Sequence, residues 1–179
     1  MEFAKWGVVP AFLAALLSGC AASTSDIPAV GDFELDRYLG TWYEIARLPH
    51  RFERNLDNVR AEYTLDPDGT VKVVNRGVRD GGERTVTGRA KFKDPAAVRT
   101  GELRVSFFRP FYGDYRIIEL GPGYDYAVVT GATRDYLWIL SRAPAMPPAQ
   151  LKAIVGRLAK LGFEVDKLEY PRQDAPEKN

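Results

Sequence analysis

Cysteine and histidine are nearly absent from this 179-residue chain, which holds Cys20 and His50 and no others of either type. A single thiol closes no internal disulfide, and one imidazole with one thiol falls short of the nitrogen and sulfur ligands a zinc site needs. No G-x-S-x-G elbow occurs, and the glycines around Gly121 and Gly123 do not form a phosphate loop. A Ser–His triad would therefore depend on His50 alone. Charge of one sign is also missing: 25 Lys and Arg face 24 Asp and Glu, for a net +1. Such a chain has no field to gather nucleic acid or acidic partners. Long apolar runs are lacking too, since Trp6 to Leu17 is about a dozen residues where a spanning helix needs roughly 20. No repeat or low-complexity segment is present.

What that short run does offer is a leader. Lys5 and the amino terminus make a positive n-region, Trp6 to Leu17 an apolar h-region, and Ser18-Gly19 the small residues before a cleavage point. An ordinary secretion signal or a buried helix are the plainer readings. Leu17-Ser18-Gly19-Cys20 resembles the lipobox of bacterial lipoprotein precursors. That resemblance implies a signal peptide over residues 1–19 and a lipidated Cys20 as the mature N-terminus. Several acyl chains hold a protein to a bilayer where one does not. Ala21 stands where an aspartate would signal inner-membrane retention, so the resemblance implies a cell outer membrane, lipid-anchored location. Lipidation would also remove the thiol from Cys–His chemistry. Residues 20–31 read as a linker, small, polar and broken by Pro28, with a flexible-coil reach of roughly 17 Å. Residues 171–179 read as a flexible tail.

Residues 32–170 form one domain, with 12% aromatic residues in the whole chain to fill its core. Their dominant signal is period two, punctuated by turns about every ten residues. Strands are expected at 41–48, 59–65, 71–78, 84–92, 103–108, 115–120, 126–130 and 136–141. Asp66-Pro67-Asp68-Gly69 and Gly121-Pro122-Gly123 are turns with proline and glycine at helpful places. Past Pro147-Pro148 the period changes: Leu151, Ile154, Val155, Leu158 and Leu161 recur at helical spacing, Pro148 suits a first turn, and Gly162 offers a stop. A last short strand is expected over 163–168. The fold class is all-β: an eight-stranded antiparallel up-and-down β-barrel with a C-terminal α-helix packed outside, since closure removes both sheet edges. Pattern alone also admits a sandwich. A barrel of this strand number holds one small ligand or is filled by its own side chains.

Gly40-Thr41-Trp42-Tyr43-Glu44-Ile45-Ala46-Arg47 resembles the G-x-W-Y signature opening the first strand of lipocalins. Gly113-Asp114-Tyr115 sits where that family has a T-D-Y-like motif, with Gly113 in place of threonine, and Leu140-Ser141-Arg142 matches the third. The segments 42–47, 105–113 and 135–142 look specifically like the bacterial outer-membrane lipocalins, relatives of apolipoprotein D. The resemblance implies that Trp42, beside Gly40, plugs the barrel base under the Arg142 guanidinium. Alternation that turns Trp42 inward also turns in Glu44 and Ala46 and leaves Tyr43, Ile45 and Arg47 outside. An inward Glu44 must be hydrogen-bonded or protonated, unless a bulge rotates it out.

Candidate cavity or mouth residues are Glu44, Ala46, Arg51, Phe92, Phe107, Tyr115, Tyr126 and Trp138. His50 reads as a loop residue at the mouth, haem ligation being the remote alternative; no metal, cofactor or catalytic residue is assigned. The connection Phe108-Arg109-Pro110-Phe111-Tyr112 carries exposed apolar groups, and Phe108, Phe111 and Tyr112 are candidates for a homodimer interface or lipid contact. The expected ligand is a fatty acid or lysophospholipid. Sixteen methylenes at about 0.8 kcal/mol each bring roughly 13 kcal/mol gross, before ordering and association costs. A filled structural barrel and a lipid-modifying enzyme are the competing readings.

Overall fold

The computed structural model describes residues 22–51 and 53–174. Cys20 and the leader before it lie outside the described residues. Eight strands run in order: β1 (Gly40–Arg47), β2 (Asp57–Leu65), β3 (Val71–Arg79), β4 (Gly82–Phe92), β5 (Glu102–Phe108), β6 (Phe111–Leu120), β7 (Tyr126–Thr130) and β8 (Leu137–Ser141). Each pairs antiparallel with the next, and β8 returns to β1, which closes the barrel. The sandwich is thereby excluded. A short helix α1 (Leu35–Tyr38) precedes β1, and α2 (Pro148–Lys160) follows β8.

Meander topology puts the β1–β2, β3–β4, β5–β6 and β7–β8 connections at one end and the other three, with α1, at the opposite end. The α1 end is closed. Trp42 is wholly buried there, its indole Nε1 donating to the Tyr38 carbonyl at 2.8 Å. Arg142 lies 3.9 Å above the Trp42 ring centre and donates to the carbonyls of Thr41 and Arg37 at 2.9 and 2.7 Å. Gly40 takes φ +91°, the left-handed region that a side chain disfavours, so glycine opens β1.

Two apolar layers stabilise the barrel. Inside, Val71, Val73, Ala90, Leu103, Ile117, Ala127, Val129 and Leu140 pack over Trp42, Tyr38 and Phe33. Outside, Ile154 and Leu158 of α2 cover Ile45, Val128, Leu137 and Ile139. Helix α2 starts with Pro148 at its first turn and ends before Gly162 at φ +81°, as their chemistry dictates.

Both terminal segments differ from the sequence reading. Residues 22–31 are docked along the barrel wall: Thr24 and Ile27 are buried, and Arg116 donates to the carbonyls of both. An inherently flexible composition is overridden here by a buried guanidinium that needs acceptors. Of the tail, Arg172 pairs with Asp57 at 2.8 Å, and Gln173 Nε2 donates to the carbonyls of Glu44 and Val59, both at 2.8 Å. That amide stitches β1 to β2 beyond the last rung of their ladder at Tyr43–Arg60. The strand expected over 163–168 is instead a 3-10 turn at Val165–Lys167, followed by a single bridge from Glu169 to Arg47.

Candidate functional site

At the end opposite Trp42 the barrel wall changes character. Inward positions Val105, Phe107 and Trp138 are only half-buried, as is Ala61 deeper in beside Trp42, whereas Trp42, Tyr63, Leu103, Ile117, Ala127 and Val129 are buried. Apolar side chains that face inward yet remain accessible mark space their neighbours leave unfilled. The β4–β5 ladder contributes to that space, because its rungs run only from Arg89–Ser106 to Phe92–Leu103. Past them the Phe107 ring crosses Gly88, where an added Cβ would come within 2.6 Å of it.

Beside this space lies a buried polar cluster from β1, β8 and the β1–β2 loop. The β1–β8 register shifts between Glu44 and Ala46, which makes a bulge. Glu44 therefore stays inward, and the parity reverses after it. Ala46, expected inward, turns out under α2 with Ile45, and Arg47, expected outside, turns in and is 2% exposed. Arg47 donates to Glu44 at 2.6 Å, to Glu169 at 3.1 Å and to the Leu56 carbonyl at 3.4 Å. Glu53 reaches in from the loop, accepting from the Trp138 indole at 3.0 Å and lying 2.9 Å from His50 Nε2. His50 packs edge-on to Trp138, ring centres 5.2 Å apart.

The two carboxyls are driven apart. Burial, and then the Glu53 charge, push Glu44 well above the ordinary carboxyl range against the pull of Arg47. Burial acts on Glu53 in the same direction, but the His50 hydrogen bond and charge, the Trp138 indole and Arg47 hold it below its usual value. A protonated Glu44 beside an ionised Glu53 is the arrangement two buried acids reach when one has better donors. At the floor, Tyr115 is hydrogen-bonded to Tyr38 at 2.7 Å and Tyr63 at 2.8 Å. Burial pushes all three phenols up, Tyr63 to about 12.

Other expected site residues fall elsewhere. Tyr126 faces outward, since its neighbours Ala127 and Val129 are the inward ones on β7, and its hydroxyl donates to Glu119 at 2.7 Å. Phe92 is inward but at the floor, its ring 6.2 Å from Phe33. Arg51 stands at the mouth, in a cleft of ≈ 370 Å³ with Pro49, His50, Asp135 and Tyr136. Phe108, Phe111 and Tyr112 are strand residues and not a connection, because only Arg109-Pro110 separates the Phe108–Phe111 pair. Phe108 and Phe111 are 71% and 77% exposed. Tyr112 is half-buried under Lys91, 4.8 Å from its ring centre. Sequence reasoning missed Arg47 and Glu53, and also Asn75, whose Oδ1 is buried without a hydrogen-bond partner on the inward parity of β3. Strict alternation from Val71 and Val73 could have found Asn75; nothing local announces the bulge. Among the described residues no cluster of three or more His, Cys, Asp or Glu is arranged to hold a metal ion.

Residues 33–173 match the family model described as a lipocalin-like domain. The chain is a lipocalin. Its curated relatives include the outer membrane lipoprotein Blc of Citrobacter freundii, 45% identical over 93% of this chain and 96% of that one. The Vibrio cholerae protein of the same name is 42% identical over 88% of this chain and 93% of its own. Mouse apolipoprotein D is 31% identical over 79% and 77%. Among solved structures, insecticyanin from the tobacco hornworm Manduca sexta superposes with TM-score 0.69 over 88% of this lipocalin and 89% of its own length. At 20% identity that likeness speaks for the fold alone.

Proposed function

We propose that this lipocalin is an outer-membrane lipoprotein, anchored through Cys20, whose barrel takes up fatty acids or lysophospholipids and stores or carries them for membrane maintenance. The observation that carries the reading is the half-buried inward set Ala61, Val105, Phe107 and Trp138, an apolar lining next to a polar cluster. An acyl chain lies along that lining, and its headgroup stays near the rim. The cleft at Arg51 and Tyr136 suits a polar group, with Arg51 free to meet a phosphate or carboxylate. The relatives named as outer membrane lipoproteins support the location, and Leu17-Ser18-Gly19-Cys20 supports the anchor.

The role is binding rather than turnover. Glu44, Arg47, Glu53 and Trp138 spend their polar atoms on one another, which fixes a wall and does not poise a nucleophile. Native mass spectrometry of the mature protein extracted under mild conditions tests the reading. A copurifying acyl-chain lipid is expected. Bare protein that also takes up no fatty acid or lysophospholipid after delipidation overturns it in favour of a filled barrel.

A further inference from the structure

The docked N-terminal segment fixes where the chain leaves the barrel. Ser23 pairs with Thr133, Arg134 donates to the carbonyls of Ala22 (backbone) and Ser23 (guanidinium), and the same guanidinium binds Asp26 at 2.6 Å. Thr133 and Arg134 belong to the β7–β8 connection. The segment therefore begins at the open end and runs toward the floor, where Glu34 N donates to the Tyr124 hydroxyl at 2.9 Å. Cys20 is two residues before Ala22, a reach of at most about 7 Å along an extended chain. Whatever holds Cys20 lies against the mouth.

Two independent features mark the same end. The β5–β6 hairpin tip presents Phe108 and Phe111, the most exposed large apolar residues among those described, at 71% and 77%. At the same end Arg51, Arg54, Arg84 and Arg109 are exposed and have no carboxylate partner among the described residues, and they outnumber the exposed acids Asp80 and Asp135 of the β3–β4 and β7–β8 connections. At the floor the exposed Asp32 and Asp68 pair with Arg99 and Arg89, and the exposed Asp36 and Asp94 have no ion pair among the described residues. An apolar tip within a cationic rim is the surface that an anionic bilayer recognises.

We propose that the open end is a membrane-docking face: the barrel stands mouth-down on the bilayer that holds Cys20, with Phe108 and Phe111 set among the lipid headgroups. The occupant is a lipid surface. A mouth so placed exchanges acyl chains with the bilayer directly, and the free ligand need not cross water. The proposal rests on the anchor at Cys20 and is indifferent to what fills the barrel, so an empty or filled interior leaves its test intact.

The test uses the mature lipidated protein in vesicles of phosphatidylcholine and phosphatidylglycerol, with and without brominated chains. F111W and F108W place a reporter at the tip, L65W places one at the exposed floor end of β2, and the parent supplies the background from Trp42 and Trp138. Brominated lipid should quench the added emission of F111W and F108W and leave that of L65W unchanged, at every protein-to-lipid ratio. Quenching of L65W as strong as that of F111W overturns the orientation. Tip reporters shielded from aqueous iodide but untouched by brominated lipid, increasingly so at high protein density, overturn it in favour of a second copy of the chain.

Discussion

Glu44 is the residue on which the barrel wall turns. Its pKa is raised by burial, so the protonated form is favoured in the folded state. The contribution of such a group is fully present below the ordinary carboxyl value and is lost as pH rises through the folded one. Glu53 has the opposite sign: its lowered pKa contributes stability above the ordinary range, lost as pH falls through the folded value. Thermal denaturation against pH should show E44Q gaining on the parent as pH rises through the Glu44 transition, by up to about 1.4 kcal/mol per pH unit. E53Q should lose most at neutral pH and converge with the parent in acid. Arg142 gives a second residue-scale outcome. R142A removes a cation–π contact of about 0.5–2 kcal/mol and two short carbonyl hydrogen bonds, so chemical denaturation should register a loss of about 2–4 kcal/mol. Lipid affinity should hold, because Arg142 sits at the closed end.

Elements show where sequence reasoning reaches and where it stops. Period two located all eight strands, and Pro148 with Gly162 bounded α2 almost to the residue, because these signals are local. That Trp42 faces in followed from the lipocalin resemblance and not from the pattern. Ala46 and Arg47 were not legible, since a bulge changes the parity of everything after it and depends on how β8 pairs, a contact nearly a hundred residues away. Tyr126 was misplaced for a related reason: an aromatic at a strand end reads alike on either face, and only the inward Ala127 and Val129 decide it. The termini failed by a third route. Small and polar residues read as free, yet Arg116 and the carbonyls of Glu44 and Val59 bind them from afar. Helix α2 lies wholly outside the barrel, and this separation predicts a clean dissociation of effects. L158A should cost about 2–5 kcal/mol in urea denaturation, as truncations of fully buried leucine do. Its uptake of an acyl-chain probe should match that of the parent at temperatures where it is folded.

For the whole molecule, the structure resolves into two ends with different work. The closed end is a floor of Trp42, Tyr38 and the hydrogen-bonded tyrosines, sealed by Arg142. The open end combines accessible apolar lining, a polar wall and the point where the anchor leaves. Central to the account is that ligand occupies the interior beside Trp138. A nitroxide-labelled stearic acid titrated into the delipidated mature protein tests this directly. Saturable one-to-one quenching of tryptophan emission is predicted, lost in W138F and abolished when A61F and V105F together fill the lining in a protein whose circular dichroism is unchanged. Saturable binding that leaves Trp138 emission untouched, or an A61F/V105F protein that binds as tightly as the parent, would contradict it.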